Sequence, residues 1–144
     1  MKKLSNDLIG IAGVHYIVHK LSLRGLVALP TMRNTGGIDI LVSARDGRKL
    51  AALQVKSSQN WVRFWPMPKP EKVTSSNNLH FVFMRYDDDS KDYEAFLVPS
   101  AVVKRQVTAN HDDYKRRKKA EFNYFAILEE DEREYKQAWK KWQL

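Results

Sequence analysis

Three residues of this sequence can do chemistry together if the chain folds as its local pattern dictates: Asp39, Gln54 and Lys56. They lie between Gly37 and Ser58, in two largely apolar runs separated by Asp46-Gly47. Asp-Gly between two such runs predicts a β-hairpin, because glycine accepts the positive φ of a type I′ turn. With Asp46 and Gly47 as a two-residue loop, cross-strand partners carry numbers that sum to 93, which sets Asp39 opposite Gln54. Side chains alternate between faces, so Lys56 shares the face of Gln54 one step further along, opposite Gly37. A carboxylate, an amide and an ammonium side by side suit a divalent cation next to a phosphate. They equally suit a diagonal Asp39–Lys56 ion pair at the sheet edge, and the residues alone leave both readings open.

The other face of the hairpin, Ile38, Ile40, Val42 and Ala44 with Ala51, Leu53 and Val55, is a core face. The polar face is itself half apolar, since Leu41 opposes Ala52 and Ser43 opposes Leu50, which predicts that both sides of the sheet are covered. Polar groups buried without partners cost a few kcal/mol each, so the cluster needs a reason to be there.

The arrangement resembles the core of the PD-(D/E)XK nuclease superfamily in its Q-x-K variant. Gly36-Gly37-Ile38-Asp39 stands where that family has its aspartate, and Gln54-Val55-Lys56 ends the next strand. Ser57-Ser58 resembles the small hydroxyl residues that follow the family's lysine, and a helix precedes the whole. The resemblance spans roughly residues 5–100. It implies an α/β fold with a restriction-endonuclease-like core, in which an N-terminal helix packs on a mixed central β-sheet with further helices. It also implies Mg²⁺ (or Mn²⁺) held by Asp39, by the Gln54 side chain and by the Val55 carbonyl, with Lys56 orienting or activating the attacking water. One position departs from the pattern: the family's first-helix glutamate directly follows a glycine, and here Gly13 is followed by Val14. Asp7 lies seven residues earlier on nearly the same helical face, either as a substitute acid or as a helix-start acid favoured by the macrodipole.

The function so implied is a small Mg²⁺-dependent nuclease that hydrolyses DNA phosphodiester bonds. Two alternatives stand beside it: a nuclease-fold module that binds nucleic acid without cutting it, and a protein-interaction domain of a mobile-element or defence system. Composition favours a polyanionic partner, since 25 Lys and Arg against 17 Asp and Glu leave a net charge of +8. The 144 residues suit a single domain, 1–144, able to bury about 68–70% of its unfolded surface. The absence of cysteine excludes disulfides and Cys-based zinc sites. The first apolar run is interrupted by His15, His19 and Lys20, so it reads as neither a signal peptide nor a membrane span, and the expected location is cytoplasmic. A second copy of the chain is the usual device for cutting both strands of a duplex, but no residue argues for a particular interface.

The elements that must position the cluster can be read in order. Ser5 or Asn6 caps a helix to about Arg24, with Leu4, Leu8, Ile11, Ile17, Val18 and Leu21 as its apolar side and Gly25 as its stop. Gly10 and Gly13 allow that helix close to the half-apolar second face of the hairpin. His15 and His19, four apart, lack the H-E-x-x-H pattern of a metal helix and read as exposed or phosphate-facing. Leu26 to Pro30 is a short strand, and Arg33 in the following loop is placed to meet a phosphate. Trp61, Arg63, Phe64 and Trp65 either stack on bases or form an apolar flap over the sheet. Leu79 to Tyr86 and Asp92 to Pro99 are strands around a solvated turn at Asp87 to Ser90, and Ser100 caps a helix that ends near Asn110. The run Lys115-Arg116-Arg117-Lys118-Lys119 reads as a loop that anchors a DNA backbone or simply adds solubility. Phe122 to Leu128 is a strand, and an acidic start at Glu129 with Lys140 and Lys141 at the end marks a last helix.

Overall fold

Ser5 starts the first helix, α1 (Asn6–Leu23), by accepting the Leu8 N–H at 3.3 Å. Gly25, at φ +80°, stops it, and the Leu26 N–H turns back onto the Leu21 carbonyl at 3.1 Å. The computed structural model describes residues 3–32, 37–59, 63–118 and 120–144. The buried face of α1 is Ile9, Gly13, Ile17 and Leu21, spaced one turn apart. Leu4, Leu8 and Ile11, expected on that face, are exposed. Gly13 explains the rotation. A Cβ there would lie 2.4 Å from Ser57 Oγ and 3.4 Å from Met84 Sδ, so only glycine lets the helix sit this close. Helix α1 therefore packs on the Leu53, Val55 and Ser57 face of the hairpin, not on its half-polar face as the sequence suggests.

The central sheet has the order β1-β2-β3-β5-β6, from β1 (Val27–Pro30), β2 (Ile40–Ser43), β3 (Leu50–Gln59), β5 (Leu79–Asp87) and β6 (Asp92–Pro99). Strands β3 and β5 run parallel and every other pair is antiparallel, so the sheet is mixed. The β2–β3 register runs from Ile40↔Leu53 to Ser43↔Leu50, summing to 93 as expected. The connection is not a two-residue type I′ turn. Ala44 N–H pairs with the Lys49 carbonyl at 3.0 Å, and the Gly47 N–H closes a turn on the Ala44 carbonyl at 2.9 Å. Only Gly47 takes a positive φ, +74°, while Asp46 accepts the Arg48 N–H. Lengthening the loop by one residue on each side preserves the register sum.

Strand β5 is covered on both sides, which is why its sequence is apolar almost without a break. Val82 and Met84 face α1 and α3 (Glu129–Lys141), sharing a core with Ile17, Leu21, Leu53 and Trp139. Phe81 and Phe83 face a second core under α2 (Ser100–Lys118) and the small sheet of β4 (Phe64–Pro66) and β7 (Tyr124–Ala126). Trp65 is buried there, its ring 5.1 Å from that of Phe83 and its indole N–H donating to the Met84 carbonyl at 3.0 Å. Trp65 is thus part of an apolar flap and not a platform for bases. The half-polar face of the hairpin is not covered near the turn, where Leu41 and Leu50 are 51% and 64% exposed.

Helix α2 continues two turns past the expected end at Asn110, so the basic run is helical through Lys118. Asn110, Asp112 and Asp113 are poor helix formers, but Asn110 bonds Gln106 and the Tyr124 carbonyl, and Asp113 pairs with Arg116 and Arg117 at 3.0 and 2.9 Å. The Ser100 hydroxyl does not cap this helix; it exchanges hydrogen bonds with the Ser76 backbone. Helix α3 begins and ends as its charges predict. Its Glu132 meets Arg85, a guanidinium only 5% exposed that also pairs with Glu94 on β6 at 2.7 Å. Among the described residues, no helix is long and apolar enough to cross a membrane.

Candidate functional site

The β2–β3 ladder ends at Ile40↔Leu53, one pair short of the expected Asp39–Gln54 opposition. Asp39 instead donates its N–H to the Leu53 carbonyl at 2.9 Å, and its Oδ2 accepts the Val55 N–H at 2.7 Å. The carboxylate has replaced the backbone acceptor that a continued ladder would supply from Ile38. The freed Ile38 carbonyl accepts the Thr31 hydroxyl, and the Thr31 N–H donates to the Asp39 carbonyl at 2.9 Å. Asp39 is therefore fixed through both neighbouring strands, by a threonine that no sequence signal singles out.

Burial pushes the Asp39 carboxyl above the usual carboxylate range, against the Val55 N–H and the Lys56 ammonium, which pull it down. Burial likewise draws the Lys56 amine below its ordinary value, with Asp39 opposing. The two groups sense each other's charge but form no ion pair, so the bland reading of the cluster as a diagonal salt bridge does not describe it. Desolvated ionisable groups of opposite sign, close but unpaired, are a common feature of sites that handle charge.

Asp39 and Val55 form one wall of a cavity of ≈ 420 Å³ whose other wall is α1. Asp7, Gly10 and Val14, at i, i+3 and i+7, present one helical face to it, with His15 beside them. Apart from its own helix backbone, no atom of the described residues lies within 4 Å of where a Gly10 Cβ would be, so the wall between Asp7 and Val14 stands open. Val14 faces the cavity, and so does Asp7. Gln54 lines a different cavity, of ≈ 350 Å³, with Leu41, Leu50, Ala52 and Thr74. Gly37 and Ile38 border both spaces. Gly37 has φ +85°, and the Gln54 amide packs 3.3 Å from its would-be Cβ, so glycine is required here on two counts. Lys56 is half-buried on β3 and lines neither cavity.

Among the described residues, no three His, Asp or Glu side chains gather as a metal site. The donors at the first cavity are nevertheless mostly oxygen: the Asp7 and Asp39 carboxylates and the Val55 backbone, with the His15 imidazole as a nitrogen donor in the lining. Oxygen donors with room for water and a phosphate fit Mg²⁺ or Mn²⁺ better than Zn²⁺.

Arg33, Trp61 and Lys119 lie outside the described residues. Arg63 is held by Glu129 at 3.2 Å and Glu132 at 3.5 Å. Lys115, Arg116, Arg117 and Lys118 are exposed on the last turns of α2, with Arg116 and Arg117 paired with Asp113. His19 is exposed and away from the cavity. The aspartates of the β5–β6 turn are occupied locally, Asp87 with Ser90 at 2.8 Å and Asp88 with Lys91 at 2.7 Å.

No protein-family profile and no curated protein matches the sequence. Among solved structures, the chain is similar in fold to a nuclease. That neighbour is a bacterial homing endonuclease, 13% identical, with a TM-score of 0.55 over 96% of this chain and 91% of that one.

Proposed function

We propose that the chain is a single nuclease-like domain, residues 1–144, of the PD-(D/E)XK superfamily, and that it hydrolyses DNA phosphodiester bonds with Mg²⁺ or Mn²⁺. The observation that carries this reading is the Asp39 carboxylate, fixed by the Val55 N–H at 2.7 Å on the wall of a cavity shared with α1, within electrostatic reach of Lys56. The fold of the homing endonuclease neighbour and the net charge of +8 support it. Asp39 and the Val55 carbonyl would hold the cation, and Asp7 would contribute the second carboxylate that Val14 does not. When bound, the cation polarises the scissile phosphate and offsets the charge that develops on it. Lys56, poised by burial to exchange a proton more readily than an exposed lysine, orients the attacking water. Gln54 lies in the neighbouring cavity, packed against Gly37, and takes no part in this centre. The basic end of α2, Lys115 to Lys118, contacts the DNA backbone.

A second reading, a non-catalytic nucleic-acid-binding module, is favoured by Val14 and by the placement of Gln54 in the neighbouring cavity. Nicking of supercoiled plasmid at low salt separates the two. Wild type that cuts with Mg²⁺ or Mn²⁺, stops with EDTA, and is inactive as Asp39→Ala and as Lys56→Ala is a nuclease of this type. Equal DNA binding by all three proteins with no cutting in either metal selects the binding module.

A further inference from the structure

A separate cavity of ≈ 350 Å³ opens where the C-terminal ends of α1 and α3 meet over β6. Its walls carry Tyr16, Lys20 and Arg24 from α1 and its cap, Tyr93 from β6, and Trp139 and Lys140 from α3. Its centre, near Lys20, lies roughly 15 Å from Gly10 along the α1 axis, and it shares no lining residue with the Asp39 cavity. Two further charged groups, Glu94 and Lys136, neutralise each other at 2.5 Å, and Glu94 also holds Arg85. Asp92, beside Tyr16, is engaged by that hydroxyl.

This leaves Lys20, Arg24 and Lys140, none of which forms an ion pair within the described residues. Two of the three, Arg24 and Lys20, are held by aromatic faces instead. The Arg24 guanidinium sits 4.3 Å from the Trp139 ring centroid, and the Lys20 ammonium 5.2 Å from that of Tyr16. Aromatic rings orient a cation without cancelling its charge. Cations near helix C-termini often do no more than cap them. Here the caps are already supplied: the Arg24 and Leu26 N–H groups reach Leu21 O, and Arg24 Nη1 and the Trp142 N–H reach Trp139 O. Lys20 and Lys140 exceed what the helix ends require.

We infer that this cavity binds a phosphate group, and that the phosphate belongs to a nucleic-acid backbone lying along the α1–α3 flank. Binding there needs neither metal nor cleavage, so the inference goes beyond the nuclease reading.

The test is binding of a labelled DNA duplex in EDTA over a range of salt, comparing wild type with Lys20→Gln/Lys140→Gln and with the charge-matched Lys49→Gln/Lys91→Gln. Loss of the phosphate contact makes the slope of log K against log salt shallower by about 0.9 in the first variant, with its Tm unchanged and the control close to wild type. An unchanged slope, an equal change in the control, or no duplex binding by wild type overturns the inference. Inorganic phosphate, added at matched ionic strength, provides the other arm. A Tm rise in wild type that the Lys20/Lys140 variant lacks, with no difference in duplex slope, assigns the cavity to a free phosphate ligand and overturns the backbone contact. Asp39→Ala retains the wild-type slope, so a failure at the Asp39 centre leaves this result readable.

Discussion

Replacing Asp39 by asparagine is expected to stabilise the fold while removing its metal affinity. Asparagine keeps the shape and an oxygen that accepts the Val55 N–H, so the strand junction at 2.7 Å survives. It loses the charge-assisted part of that bond, about 1 kcal/mol, and the through-space attraction of Lys56, about 1 kcal/mol or less. Against this it removes the cost of burying a carboxylate, which the upward shift of Asp39 shows to be the larger effect. Screened by the solvent that still reaches this half-buried group, the net gain at neutral pH is about 1 kcal/mol or less, equivalent to about 3 °C or less in Tm for 144 residues. Because folded Asp39 holds its proton more tightly than the unfolded chain does, its contribution to stability is full in acid. It is lost as pH rises from the ordinary carboxylate range through the raised folded value. The advantage of Asp39→Asn therefore vanishes by about pH 3. Calorimetry with Mg²⁺ completes the test: at ten times the Kd, wild type gains about 1.4 kcal/mol and the variant gains nothing. A variant less stable than wild type at neutral pH, or one that Mg²⁺ stabilises equally, would refute the reasoning.

Gly37→Ala forces a side chain into φ +85° and against the Gln54 amide, and should cost about 1–3 kcal/mol in chemical denaturation. Ser57→Ala removes a buried hydroxyl that has no hydrogen-bond partner beneath Gly13, and should raise stability by up to about 1 kcal/mol. Trp65→Ala opens the core between β4 and β5 and should cost about 3–5 kcal/mol, with no direct effect on DNA affinity in the protein that remains folded. Leu41→Gln/Leu50→Gln alters side chains already largely in solvent, so chemical denaturation should move by less than about 0.5 kcal/mol.

Much of the sheet is legible in the sequence because its signals are local. Asp46-Gly47 and the alternation around it fix the hairpin register, and the apolar run of β5 marks a strand covered on both faces. The buried face of α1 is not legible. Leu8 and Ile11 are as apolar as Ile9 and Ile17, and only the clearance between Gly13 and Ser57, set across 44 residues, decides which side turns inward. The length of α2 is hidden for a similar reason, since Asn110 is held helical by a carbonyl of β7. At the site, residue types and strand order point to Asp39, Val55 and Lys56. The local break at Asp39 is not legible, because it depends on Thr31, just past the end of β1, and that break is what separates Asp39 from Gln54.

The hydrogen bond from Val55 to Asp39 makes one backbone amide a reporter on the centre. Interior amides of β3 that bond to carbonyls are blind to charge, whereas this one answers to a carboxylate. Its proton resonance should follow the titration of Asp39 directly and shift again when a cation draws on the same oxygens. A single peak in an amide spectrum would thus read the protonation and occupancy of the site without any substrate being turned over.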